Sequence, residues 1–192
     1  MSDHVRVVLL RHGETEWSRA LRHTGRSDIP LDEQGRRAAR EVGRALAGIE
    51  FTRVLVSPLG RARETAELAA LRGPVEICDD LVEWDYGEYE GRTSAEIDAE
   101  RPGWSLWTDG VIGGETLDEV AARCDRVVAR LQELEGDVAA VAHGHVLRVL
   151  AARWAAQPAA LAQRLVLGTA RLGRLGHEHG ARAITLWNSA SP

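Results

Sequence analysis

A chain of 192 residues, 44% of them hydrophobic, carries enough apolar material for one domain with a full-sized core, which excludes a disordered chain. Its net charge of −5, from 24 basic and 29 acidic residues, argues against a nucleic-acid partner but leaves room for a local basic pocket. No lysine occurs, so every basic residue is arginine, and a P-loop nucleotide site and a Schiff-base mechanism, which both need lysine, are excluded.

No stretch approaches the roughly 18 uninterrupted apolar residues of a membrane span. The N-terminus shows no charged segment followed by a long apolar run, so a cytoplasmic protein with no membrane partner is expected. The cysteines, Cys78 and Cys124, are too few for a disulfide framework and read as core or near-surface thiols.

Val5, Val7, Val8, Leu9 and Leu10 form a β-branched, nearly continuous apolar run, as in a strand buried on both faces, and it stops at Arg11-His12-Gly13. An isolated Arg-His-Gly would read as an exposed strand end. Glu14 to Leu21 predicts a short helix, and Thr24-Gly25 with Ser27-Asp28-Ile29-Pro30 predicts a loop over that strand end. Asp32 caps a predicted helix with Ala38, Val42, Ala45, Leu46 and Ile49 on its apolar face. Val54-Leu55-Val56 reads as a second buried strand. Ser57-Pro58 after it predicts a helix with serine as N-cap and proline first, which puts Arg61 in the first turn.

Pro74 to Ile77 predicts a third short strand. From Leu81 to Glu115 periodicity fails among Trp84, Tyr86, Tyr89, Trp104, Trp107 and many acids and glycines, which predicts a lid or binding loop. Thr116 and Glu119 form a capping box for a helix with Leu117, Val120, Ala121, Cys124, Val127, Val128 and Leu131 on one face. Val138 to Ala142 is a fourth buried strand ending in His143-Gly144-His145, followed by a helix from about Val146 to Ala155. Leu165 to Leu172 and Ala181 to Trp187 predict closing strands. One domain over 1–192, with a lid-like segment at about 81–115, accounts for the whole chain.

Three strand ends thus carry Arg11 with His12, Arg61, and His143, and in a parallel sheet such ends lie on one rim. Two arginines and two histidines there make a phosphate pocket with a nucleophile in it. These residues resemble the histidine phosphatase superfamily, the phosphoglycerate mutase-like proteins. RHGETEW matches its opening signature, SPLGRARETA its second arginine motif, LVEWDYGEYEG its acid motif and VAHGHVLRVL its second histidine motif, in family order. The opening and acid motifs are most similar to sugar-phosphate phosphatases of the sedoheptulose-bisphosphatase kind and to small bacterial acid phosphatases.

The resemblance implies an α/β three-layer sandwich with a mostly parallel central sheet flanked by helices. It makes His12 the nucleophile that becomes phosphohistidine, with Arg11, Arg61 and His143 clamping the phosphoryl oxygens and Glu83 as acid and base. Asp85, Glu88 and Glu90 remain alternatives for that last role. Ser18 stands where many relatives have asparagine and can offer a hydroxyl to the phosphate. Thr24, Gly25 and Tyr86 match substrate-side positions, Gly144 belongs to the same pocket, and His145 reads as a residue that backs the pocket or stands at its rim. Crowding by Arg11 and Arg61 keeps His12 neutral, as attack requires, and the same cations offset transition-state charge. Glu83 must begin protonated to release an alkoxide and then act as base toward water.

No cofactor and no metal are implied, because neither His143-Gly144-His145 nor His177-Glu178-His179 comes with cysteine or carboxylate at ligand spacing. The expected activity is hydrolysis of a small-molecule phosphate ester such as a sugar phosphate, and the sequence allows a homo-oligomer. A phosphoglycerate mutase is the alternative, although 91–115 is short and lacks the paired arginines of those enzymes. A non-catalytic phosphate-binding or scaffold domain is the alternative from another class, and loss of a pocket residue is its expected signature.

Overall fold

The computed structural model describes residues 5–191. Six strands form one sheet: β1 (Arg6–Arg11), β2 (Arg53–Val56), β3 (Val75–Ile77), β4 (Asp137–Ala142), β5 (Leu172–Glu178) and β6 (Ala181–Ser189), in spatial order β3-β2-β4-β1-β5-β6. β3, β2, β4 and β1 are parallel neighbours, and β5 and β6 close the sheet antiparallel. The α/β sandwich with a mostly parallel sheet is therefore as expected.

The layers follow from strand periodicity. Within β1, Val7 and Leu9 join one core with Leu55, Val127, Leu131, Leu147 and Trp154, while Val8 and Leu10 join the other with Val42, Leu46, Val56 and Ala62. Helices α6 (Leu117–Gln132) and α7 (Gly144–Trp154) cover the first face, and α2 (Glu33–Leu46) and α3 (Gly60–Leu68) the second. Both sheet faces are thus dry, which is why the central strands read as unbroken apolar runs. α6 starts on the expected capping box, with Thr116 Oγ1 accepting from Glu119 N and Glu119 reaching back to Thr116 N. Both cysteines are buried, and burial pushes the Cys124 thiol up to about 12. Among the described residues no helix is long and apolar enough to cross a membrane.

The structure departs from the sequence expectations in four places. The short helix after β1 is one turn, α1 (Glu16–Arg19). Helix α3 begins at Gly60 rather than at Pro58, with Leu59 as N-cap and no side-chain cap; the Ser57 hydroxyl is bonded to the His143 ring instead. The closing strand is Leu172–Glu178, and Leu165 to Leu172 is mostly irregular chain after a 3-10 segment at Ala159–Arg164. Gly173 and Gly176 break the apolar alternation of β5; Gly173 makes room for the Trp187 ring, 2.9 Å from where a Cβ would stand. The 81–115 segment holds two short helices, α4 (Ser94–Glu100) and α5 (Leu106–Asp109), where irregular chain was expected.

Candidate active site

Strands β2, β4 and β1 are adjacent, and their registers pair Arg11 with Ala142 and Val56 with Val141. Arg11-His12, Ser57 and His143 therefore leave the sheet at one level. Two backbone bonds extend the ladder past the strands, His12 N to Ala142 O at 2.9 Å and Ser57 N to Val141 O at 3.0 Å. Ligands of open α/β sheets bind at this carboxyl rim.

His12 is 4% exposed, and its Nδ1–H donates to Gly13 O at 2.6 Å. That bond selects the tautomer whose Nε2 carries the free lone pair. Burial first, then the charges of Arg61 and Arg11, hold the ring well below the ordinary imidazole range, against the opposing Gly13 bond. The ring is thus neutral at neutral pH. The turn depends on Gly13, because a Cβ there would lie 2.5 Å from Gly35 O.

Arg11 donates Nη1–H to Leu167 O at 2.6 Å, while its buried Nε–H has no hydrogen-bond partner. An unpaired donor on a buried cation is costly, so this guanidinium is built for an acceptor that the protein does not supply. Gly144 lets it pass: a Cβ at that position would stand 3.2 Å from Arg11 Cζ.

Arg61 and His143 are fully buried behind His12, whose ring centroid lies 5.2 Å from that of His143. Arg61 Nε–H donates to His143 Nδ1 at 3.2 Å, so His143 Nε2–H donates to Ser57 Oγ at 2.7 Å. The remaining Arg61 bonds go to the carbonyls of Thr24, Gly25 and Ser27. The cluster therefore forms as expected, but Arg61 and His143 make its floor rather than its open surface. Oxygens of a phosphoryl group would take Arg61 hydrogens in competition with the 24–27 carbonyls.

Glu83 lines the same cleft as Arg11 and His12, 4% exposed, and three backbone N–H groups fix it: Trp84 N and Val146 N on Oε1, and His145 N on Oε2. Two of these come from the first turn of α7. Of its sequence neighbours, Asp85 accepts from Gly87 N, Glu90 accepts from Gly25 N and Ser27 N, and Glu88 is exposed. Glu83 alone among these four lines the cleft.

The cleft has a volume of about 770 Å3, within the usual range for small-molecule sites. Ser18, Thr24, Tyr86 and Gly144 line it as expected, and Gly25 does not; its N–H and carbonyl instead tie the loop to Glu90 and Arg61. Ser18 Oγ donates to Thr15 O within the α1 capping box, so its hydroxyl hydrogen is committed there. Tyr86 OH donates to His145 Nδ1 at 2.5 Å. Burial, with Arg148 and His23 adding to it, holds His145 well below the ordinary range too.

Sequence reasoning missed His23, Trp107 and Arg148 as cleft residues, whereas His145 lines the cleft and accepts from Tyr86. A helix starting at Gly144 puts His145 and Arg148 three apart on one face, which is the signal that was available. Among the described residues no group of three His, Cys, Asp or Glu side chains could hold a metal ion.

The buried histidines make acid a destabilising condition. His12, His143 and His145 all titrate below 6.5 when folded, so the unfolded chain binds protons that the folded one refuses. Their contribution is complete above the unfolded value and is lost as pH falls below it, at about 1.4 kcal/mol per pH unit for each ring. Thermal melts should therefore show the midpoint falling from about pH 6.5 toward pH 5, before carboxylates titrate. A midpoint that stays flat there would mean the rings are not held neutral.

An α/β sheet whose carboxyl rim holds a neutral buried histidine among arginines is the arrangement of a protein that handles phosphate esters. The histidine phosphatase superfamily (branch 1) model matches residues 7–190, and the chain belongs to that superfamily. It is 40% identical over 185 residues to an acid phosphatase of Mycobacterium tuberculosis, covering 94% of this chain and 91% of the relative. It is 37% identical over 184 residues to the sedoheptulose 1,7-bisphosphatase of Saccharomyces cerevisiae, covering 78% and 67%. A solved structure of an open-reading-frame product from Mycobacterium tuberculosis superposes with a TM-score of 0.91 at 38% identity, covering 98% of each chain.

Proposed function

We propose that this protein is a metal-independent phosphomonoesterase that hydrolyses small phosphorylated metabolites through a phosphohistidine at His12. The observation that carries this reading is the pairing of His12, neutral with Nε2 free, and Arg11, whose buried Nε–H awaits an acceptor. In the first step the Nε2 lone pair attacks phosphorus, the ester P–O bond breaks, and Glu83 gives its proton to the departing alkoxide. In the second, Glu83 takes a proton from water, the hydroxide attacks phosphorus, and the P–N bond breaks to release phosphate. Arg11 and Arg61 stabilise the charge on the equatorial oxygens in both steps.

Relatives named acid phosphatase and sedoheptulose 1,7-bisphosphatase support a small ester as substrate, as does the size of the cleft. The 81–115 segment supports it further, because Ser94, Trp104 and Trp107 from it wall the cleft against a folded protein substrate. The mutase alternative fares less well: Arg92 and Arg101 are bonded to Glu100 and Tyr89, and neither lines the cleft. The scaffold alternative expects a lost pocket residue, and Arg11, His12, Arg61 and His143 are all in place.

Purified protein screened against a panel of phosphorylated metabolites should release phosphate from several sugar phosphates. Turnover should survive a chelator and be inhibited by vanadate, which takes the trigonal-bipyramidal geometry of the transferring group. Activity lost in EDTA and restored by a divalent ion would overturn the metal-free mechanism.

A further inference from the structure

Helix α6 buries one cation along with its apolar face: Arg123, 5% exposed, in the run of Val120, Cys124 and Val127. A buried guanidinium is costly unless it is paired and hydrogen-bonded, and Arg123 is both. Its Nε–H donates to Glu115 Oε1 at 2.8 Å and an Nη2–H donates to Glu115 Oε2 at 3.1 Å, a bidentate pair. Nη1 donates to two backbone carbonyls, Asp80 O at 2.8 Å and Val82 O at 2.7 Å. Neither Arg123 nor Glu115 lines the cleft, and the proposed chemistry uses neither.

Glu115 holds the same segment beyond Glu83. Its Oε2 also accepts from Asp85 N at 2.9 Å, its carbonyl accepts from Trp84 Nε1–H at 2.8 Å, and its N–H donates to Asp85 O at 3.0 Å. The two chains run so close there that a Cβ on Gly114 would lie 2.2 Å from Asp85 O. The pair therefore grips the backbone at Asp80 and Val82 before Glu83, and residues Trp84 and Asp85 after it. A simple staple of α6 to this segment would need only one of those anchors. The carboxylate of Glu83 accepts from main-chain N–H groups, so its place follows the backbone that carries it. Proton transfer needs the carboxyl oxygen about 2.6–3.2 Å from the ester oxygen. A displacement of about 1 Å can cost about 10^2-fold in rate.

We infer that the buried Arg123–Glu115 pair is a positioning element for the proton donor: by fixing the backbone on both sides of Glu83, it holds that carboxyl group where it meets the leaving-group oxygen. The inference rests on the phosphatase reading, with Glu83 as the acid, and adds the residues that make that acid effective.

The test is how steeply kcat/KM falls along p-nitrophenyl, phenyl and benzyl phosphate, whose leaving groups grow more basic and need the proton more. Because kcat/KM ends at ester cleavage, activation of water by Glu83 in the second step does not enter it. Arg123→Met should cut kcat/KM on the order of 10^2-fold for benzyl phosphate and by less than about threefold for p-nitrophenyl phosphate. Competitive inhibition by inorganic phosphate should be unchanged, since Arg11, His12 and Arg61 are untouched. Glu83→Gln should show the same selective loss, and adding Arg123→Met to it should deepen the selectivity no further, because both act through one carboxyl group. Arg123→Lys keeps the charge opposite Glu115 but cannot also reach both carbonyls, so it should fall between wild type and Arg123→Met. If Arg123→Met gives no cooperative melt, Arg123→Lys and Glu115→Gln, which keeps an oxygen for Asp85 N, carry the same comparison.

Proportional losses on all three esters, weaker inhibition by phosphate, or a further gain in selectivity in the combined variant would overturn the inference and leave the pair a structural role. Two controls separate the levels. No turnover of any ester by the wild type would remove the phosphatase reading, and an unselective Glu83→Gln would remove Glu83 as the proton donor. Selectivity in Glu83→Gln without it in the Arg123 and Glu115 variants would remove the positioning role alone.

Discussion

Replacing His12 by alanine is expected to remove turnover while leaving a cooperative thermal transition. The loss should be on the order of 10^4-fold or more, as for removal of a covalent nucleophile from a site whose other parts remain. Neither His143 nor His145 can take over the attack. His143 has both ring nitrogens committed to Arg61 and Ser57, and His145 gives its Nδ1 lone pair to Tyr86. Stability should change little by comparison. The truncation leaves Gly13 O without its Nδ1–H partner at a cost of about 1–3 kcal/mol, and it removes a group whose own charging was already opposed by Arg11 and Arg61. Activity within about tenfold of wild type would sink the mechanism.

Glu83→Gln is expected to separate the two halves of the reaction. Its effect should be largest for sugar phosphates, whose alkoxide needs a proton, and smallest for p-nitrophenyl phosphate, whose phenolate departs unaided. A loss of about 10^2- to 10^4-fold is typical for a positioned acid or base. Because the same group is assigned to activate water, the variant should accumulate phosphohistidine with the aryl substrate, giving a burst of nitrophenolate followed by slow release. Glutamine keeps one oxygen to accept from the backbone N–H groups of Trp84 and Val146, so the α7 start should survive, although its amide must face His145 N–H or turn into the cleft. Equal losses on both substrates with no burst would remove Glu83 from the role. Asp85 and Glu90, tied to Gly87 and to Gly25 and Ser27, would then need the same test despite facing away.

What the sequence disclosed depended on the range of the interaction involved. The buried strands were legible because parallel strands covered on both faces must be apolar throughout, and Val7 to Leu10, Val54 to Val56 and Val138 to Ala142 are. Their polar terminations are enough to place Arg11, His12 and His143 on one rim. The capping box of α6 is legible at Thr116 and Glu119, whereas the same signature at Thr93 and Glu96 predicts no helix by itself, because α4 spans only Ser94–Glu100 and shows too little periodicity to support it. Strand β5 was misplaced because its burial comes from neighbours far away in sequence, Leu9 on one side and Trp187 on the other, and not from its own composition.

Hydrogen-bond direction was not legible at all. Nothing local says that Ser57 would leave its helix to bind His143, that Ser18 would spend its hydroxyl on Thr15, or that Arg61 would be held by three loop carbonyls. These are choices among competing partners that only the assembled fold resolves. They matter chemically, because they leave Arg11 as the arginine with an open donor beside the nucleophile and make Arg61 a buried charge beneath it.

The central claim is that phosphate passes through His12, and rapid-quench trapping tests it most directly. Enzyme mixed with a labelled phosphate ester is quenched in alkali on the millisecond scale, digested, and the label located by mass spectrometry. The mechanism predicts a phosphoenzyme that is stable in alkali, labile in acid and confined to His12, more abundant in Glu83→Gln and absent from His12→Ala. A wild-type enzyme that turns over with no protein-bound phosphate at any quench time, in Glu83→Gln as well, would contradict it, as would label on a residue other than His12.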